Sequence, residues 1–135
     1  VIDTKESGGK RFGIIDGGTH HILRQYLQWA NTFVDVVPQN GNQKYRRERI
    51  SLGGPLCTPS DFLVRDAMIP SIHVDDILVF QNCGAYAFST GTALFSGHPT
   101  PLEAMEYDGR VLITRSRGDA KDILLGQHPL EKGAL

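Results

Sequence analysis

The sequence predicts a mainly β fold, a barrel-like or sandwich domain with one or two short helices. Three observations predict it. Fifteen glycines and seven prolines cut the 135 residues into short pieces. Most of those pieces carry β-branched or aromatic residues in place of a helical period. Asp108-Gly109 stands between two strand-like runs and supplies the left-handed pair that a two-residue hairpin needs. A chain of this size buries roughly two-thirds of its unfolded surface, enough for one modest core and roughly six to nine strands.

In chain order, strands are expected at Arg11–Asp16, Phe33–Val37, Arg47–Leu52, Asp76–Asn82, Leu102–Tyr107 and Arg110–Thr114, the last two as antiparallel neighbours. One helix is expected over His20–Asn31, where Ile22, Leu23, Tyr26, Leu27 and Ala30 recur at spacings of three and four. A second fits Ser60–Asp66, with Pro59 in the first turn, Thr58 or Ser60 as cap, and Phe62 and Leu63 facing inward. The β-domain is expected to span residues 1–115. Residues 116–135, rich in charge and glycine around Ile123-Leu124-Leu125, are expected to form a peripheral or partly disordered tail.

Composition narrows the function classes. With 40% hydrophobic and 21% charged residues and a net charge of -1, the chain is globular and electrostatics nominates no nucleic acid. No apolar run approaches the ~20 residues of a membrane-spanning helix, and the first ten residues lack the apolar middle of a signal peptide, so a cytoplasmic protein without a membrane partner is expected. Two cysteines, Cys57 and Cys83, are too few for a disulfide framework and read as reduced thiols.

Several constellations could carry chemistry. Asp16-Gly17-Gly18 follows a strand and precedes the helical stretch, an arrangement that can bring backbone amides to an anion or simply close a strand. Gly53-Gly54-Pro55-Leu56-Cys57-Thr58-Pro59-Ser60-Asp61 is a stiffened loop that presents Cys57 in a fixed place, as a functional group or as a buried thiol. Asn82-Cys83-Gly84-Ala85-Tyr86 sets one phenol among small residues, where it can donate to a phosphate or carboxylate, or pack flat in the core. His20 and His21 are adjacent, so in a helix or strand they point apart and no metal site is expected; His73, His98 and His128 are isolated. Lys44 to Arg49 is basic but interrupted by Glu48, and reads as a solvated strand edge. Dinucleotide, phosphate-loop, nucleophile-elbow and zinc-helix motifs are missing, so no self-contained enzyme is visible.

Taken in order, Phe12 to Gly18, Leu23-Arg24, Gly53 to Cys57 with Asp61, Asp76 to Val79, and Gly84-Ala85-Tyr86 resemble the C-terminal domain of the fold-type III pyridoxal-phosphate decarboxylases, which include the diaminopimelate and ornithine decarboxylases. The similarity runs from about Arg11 to Arg115. Cys57-Thr58-Pro59 with His98 to Glu103 looks most like the decarboxylases associated with exopolysaccharide or with carrier-protein-linked substrates.

The resemblance implies an N-terminal barrel that binds pyridoxal 5'-phosphate and supplies its lysine, and a homodimer whose sites form between one subunit's barrel and the other's β-domain. None of Lys5, Lys10, Lys44, Lys121 and Lys132 has the apolar surroundings that depress an amine's pKa, and the chain alone is expected to be inactive. It further implies that Tyr86 contacts the cofactor phosphate, that Cys57 sits by the substrate and assists the return of a proton after carbon dioxide leaves, and that Arg24 holds a distal substrate carboxylate. Thr58 stands where relatives place an acid that meets a distal ammonium, which argues against a diamine-type substrate and leaves a free or carrier-bound amino acid. Gln28 and Phe95-Ser96 also depart from the family's pattern. A non-catalytic regulatory module, and a racemase of the same fold type, are the alternatives.

Overall fold

In a computed structural model, residues 1–22, 33–41, 44–84 and 86–129 are described. They contain eight strands: β1 Asp3–Ser7, β2 Lys10–Ile14, β3 Val34–Val37, β4 Arg47–Gly53, β5 Phe62–Pro70, β6 Ile77–Phe80, β7 Glu103–Tyr107 and β8 Arg110–Arg115. Two 3-10 turns follow Leu94 and Asp119, at Phe95–Gly97 and Ala120–Leu124. Chain contacts divide the molecule into two compact units, Val1–Ala93 and Leu94–Leu135.

The first unit is a two-layer arrangement of open sheets. Four strands are ordered β1-β2-β4-β5, with β2 and β4 parallel and the other neighbours antiparallel. The parallel pair requires a crossover, and that crossover contains β3, which pairs with β6 in a separate antiparallel sheet. Ile50 and Leu52 on β4, Val64 and Ile69 on β5, and Val34 on β3 form one buried cluster with Ile72, flanked by Val36, Leu78 and Phe80; Val64 and Ile69, five residues apart, share it because β5 carries an extra residue between Val64 and Ala67 where its register on β4 shifts. Among the described residues no sheet closes on itself, and the chain is mainly β with only 3-10 turns, as the sequence predicts. No helix among them is long and apolar enough to cross a membrane.

The second unit is built on the β7–β8 hairpin, where Tyr107 pairs with Arg110 around Asp108 and Gly109, at φ 50° and 69°. Its 3-10 turn Ala120–Leu124 carries a capping box between Asp119 and Asp122, and Gly118 N–H bonds Thr100 O at 3.0 Å.

Two expectations are corrected. Ser60–Asp66 is not helical: Ser60 lies in a turn, and Phe62 to Asp66 belong to β5, whose pairing along β4 overrides the local N-cap signal. The polar β1 was not expected; it is the exposed edge of the sheet, joined to β2 through Gly8 and Gly9. The basic segment lies on an edge as expected, because β2 pairs with β4 only from Ile50 to Gly53 and Arg47 to Arg49 have β5 alone beside them among the described residues. The helix expected at His20–Asn31 falls almost wholly outside the described residues, which show a turn at His20 and His21 closed onto Gly18 O.

Candidate functional site

The site begins where β2 ends. Ile15 N–H bonds Gly53 O at 3.0 Å, so the parallel pairing with β4 carries the two glycine-rich segments to the same end of the sheet. Between them sits Asp61, only 3% exposed. Its Oδ1 accepts from Thr19 N–H at 2.7 Å and Thr19 Oγ1 at 2.9 Å, and its Oδ2 accepts from Leu56 N–H at 2.8 Å. Buried carboxylates need such partners. The glycines make room: a β-carbon on Gly18 would stand 2.6 Å from Asp61 Oδ1, and one on Gly54 would stand 2.7 Å from Gly18 Cα.

Asp61 therefore fixes the residue before Cys57. Cys57 is exposed at the tip of the loop. Thr58 is half-buried, and its hydroxyl lies 2.9 Å from Ser60 Oγ and accepts from Ser60 N–H at 3.3 Å. Arg65 ties down the same turn by donating to Pro59 O at 2.9 Å, with its guanidinium 4.3 Å above the Phe62 ring.

Tyr86 begins a turn in which Thr90 N–H donates to Tyr86 O at 3.1 Å. Its ring is 64% exposed and its φ is 64°. A left-handed conformation costs an aromatic L-residue roughly 1–2 kcal/mol. The turn is anchored at its far end, where Thr92 N–H bonds Thr19 O at 3.2 Å and a β-carbon on Gly91 would stand 3.1 Å from Thr19 O and 3.2 Å from His20 O. Thr19 thus joins the Cys57 loop, through Asp61, to the Tyr86 turn, through Thr92.

Cys57, Thr58 and Tyr86 are accordingly held by neighbouring segments, while Arg24 and Gln28 lie outside the described residues. His20 and His21, expected to point apart, instead have ring centroids 3.9 Å apart because they occupy a turn and not a helix or strand. The roles of Asp61, Thr19 and Arg65 were not anticipated; an Asp just beyond a glycine pair and two prolines was the available signal. Lys5, Lys10, Lys44 and Lys121 are all exposed. Of the thiols, burial pushes Cys83 up, and its Sγ lies 3.2 Å from Gln81 O. A concavity of about 570 Å³ opens beside the Gly17-Gly18 turn, lined also by His21, Leu78 and Asp76, but neither Cys57 nor Tyr86 lines it.

A second buried carboxylate, Asp76, is 1% exposed and accepts from Tyr45 Oη at 2.8 and 3.0 Å and from His73 N–H at 2.8 Å. Burial, and then the Asp76 carboxylate, push the Tyr45 phenol above its ordinary range. This network fixes the start of β6 and holds no residue of the Cys57 site.

Residues 1–84 match the family described as pyridoxal-dependent decarboxylase, C-terminal sheet domain. The chain is 34% identical, over its whole length, to the L-glutamyl-[BtrI acyl-carrier protein] decarboxylase of Niallia circulans, covering 33% of that protein. It is 27% identical over 94% of its length to a diaminopimelate decarboxylase of Methanothermobacter thermautotrophicus, covering 29% of it. The crystal structure of diaminopimelate decarboxylase from Helicobacter pylori complexed with L-lysine superposes with a TM-score of 0.75 and 26% identity, covering 93% of this chain and 29% of that one. The chain spans about a third of the length of the relatives it matches.

Proposed function

Because the chain belongs to the pyridoxal-dependent decarboxylases, as a C-terminal sheet domain, we propose that it completes the active site of a longer amino-acid decarboxylase, acting across a homodimer on the cofactor and substrate held by the partner's N-terminal barrel. The observation that supports this reading is the shared anchor: Asp61 and Thr92 both bind Thr19, which ties the Cys57 loop and the Tyr86 turn to one residue.

The residues fit pyridoxal phosphate as a group approached from outside the domain. Tyr86 offers an exposed neutral donor suited to a phosphate dianion, and it keeps its side chain in a backbone conformation that glycine would adopt more easily. Among the described residues every lysine is exposed, and this reading places the lysine that attaches the cofactor on the barrel of the longer protein. When bound, the cofactor accepts the electron pair released as carbon dioxide leaves. Tyr86 orients its phosphate, Cys57 Sγ holds a proton for the substrate's α-carbon, and Arg24 receives a distal carboxylate.

The substrate is an amino acid carried on a protein-bound arm. Thr58 places no charge where a free diamino acid would need one, and the Niallia circulans relative acts on a carrier-bound glutamyl group. In the full-length protein, Tyr86→Phe is expected to weaken pyridoxal phosphate retention about tenfold or more, the effect of losing a hydrogen bond to a charged group. Dissociation during dialysis, followed by cofactor fluorescence, measures it; unchanged retention removes Tyr86 from this role. Release of carbon dioxide, in place of inversion at the α-carbon, separates decarboxylation from racemisation.

A further inference from the structure

We infer that Arg65 is a positioning residue for the Cys57 thiol, an inference that rests on the proton-returning role proposed for Cys57 above. Cys57 stands between two residues that side chains hold in place. On one side the Leu56 amide donates to Asp61 Oδ2 at 2.8 Å, and that carboxylate is itself fixed on Thr19. On the other side Pro59 O accepts from Arg65 Nη2 at 2.9 Å, a bond that reaches the turn from strand β5. Proline has no N–H, so its carbonyl is the one backbone group by which the turn can be held at that residue. The backbone bonds within the turn are local, Thr58 N–H to Leu56 O at 2.8 Å and Asp61 N–H to Thr58 O at 3.1 Å, and they shape it without tying it to the sheet. Asp61 and Arg65 supply such ties, one residue before Cys57 and two residues after it.

The surroundings of Arg65 suit that role. Its guanidinium lies 4.3 Å from the centroid of the Phe62 ring, which is 6.3 Å from that of Phe12 on β2. Stacking on an aromatic face fixes the plane of a guanidinium and so directs its N–H groups. Among the described residues no carboxylate stands at ion-pair distance from Arg65, so no ion pair draws it away from the turn. Strand β5 is an edge of its sheet, where charge alone serves to block further pairing. Blocking needs only a free-standing cation, whereas this guanidinium is folded onto Phe62 and Pro59. Arg65 is exposed and belongs to neither core cluster, so its replacement leaves the core packing intact. A thiol that returns a proton must meet the α-carbon at a set distance and direction, and a displacement of about 1 Å can cost about a hundredfold in rate.

The test uses the full-length protein loaded with pyridoxal phosphate, and the substrate it decarboxylates fastest among L-glutamyl-[BtrI acyl-carrier protein], meso-diaminopimelate and L-ornithine. Arg65→Met keeps a stem that packs on the Phe62 ring but removes the donor. It is expected to lower kcat about tenfold or more while KM stays within about twofold. Arg65→Lys, which restores a charged donor without the planar stack, is expected to recover at least about threefold of that loss. In a Cys57→Ala background Arg65→Met is expected to add nothing, because it acts through the thiol. By hydrogen exchange, the segment from Leu56 to Asp61 is expected to exchange at least about threefold faster in Arg65→Met, with the core of β4 unchanged. Wild-type kcat in Arg65→Met, no recovery in Arg65→Lys, a further loss in the Cys57→Ala background, or unaltered exchange in the turn each overturns the inference. In any of those cases an impaired Cys57→Ala leaves the role proposed for Cys57 standing. Full turnover by Cys57→Ala overturns that role and the inference with it, as does release of carbon dioxide from none of the three substrates.

Discussion

At the residue scale, two buried carboxylates do different work. Asp61 holds Thr19 with one oxygen and the Leu56 amide with the other. Asp61→Asn preserves shape but turns an NH₂ toward one of those donors, leaving an amide unsatisfied. A loss of about 2–3 kcal/mol is expected, read as a lower urea midpoint, with Cys57 becoming more reactive toward alkylation as its loop is released. Burial, and then Asp76, instead keep Tyr45 protonated. Because the folded phenol titrates above its ordinary 10.0, the native state retains a proton that the unfolded chain gives up. The stability this contributes is fully present below that pH and is lost as pH rises through the folded value. Ultraviolet titration of the phenols should show one late-ionising tyrosine, absent in Tyr45→Phe, and the variant's stability should fall less steeply above pH 10.0.

At the scale of elements, close approach governs the site. Gly54→Ala places a β-carbon against Gly18 Cα and the Asp61 carboxylate, both buried and neither a flexible chain end. Destabilisation of about 1–3 kcal/mol is expected from overpacking, measured as a lowered thermal midpoint, with an accompanying rise in the exposure of the Cys57 loop by hydrogen exchange. The strength of local signals decides which elements could be read in advance. Asp108-Gly109 specifies its hairpin through turn chemistry alone, and β4 and β6 announce themselves by Ile50-Ser51-Leu52 and Ile77 to Phe80. Strand β5 was obscured because Pro59-Ser60-Asp61 imitates a helix start, while Asp61 is in fact spent on Thr19, 42 residues away. Strand β1, Asp-Thr-Lys-Glu-Ser, carries no apolar alternation because it is an exposed edge. Cys57 and Tyr86 could be singled out from their neighbours in sequence, but the tether between them depends on contacts that only the folded chain creates.

At the scale of the molecule, every buried hydrophobic of the two core clusters lies in Val1–Ala93, and so do the Cys57 loop and the Tyr86 turn. Leu94–Leu135 is organised around a hairpin whose β8 residues are all exposed. The core therefore supports the candidate site directly, and the division of the chain after Ala93 leaves that support undivided. The left-handed backbone at Tyr86 has a practical corollary for anyone improving this protein. A campaign that selects variants for heat tolerance would favour glycine there, since glycine relieves the dihedral penalty. Such a winner would be sturdier and would have discarded the phenol proposed to grip the coenzyme, so thermal selection and catalytic selection should pull this one codon in opposite directions.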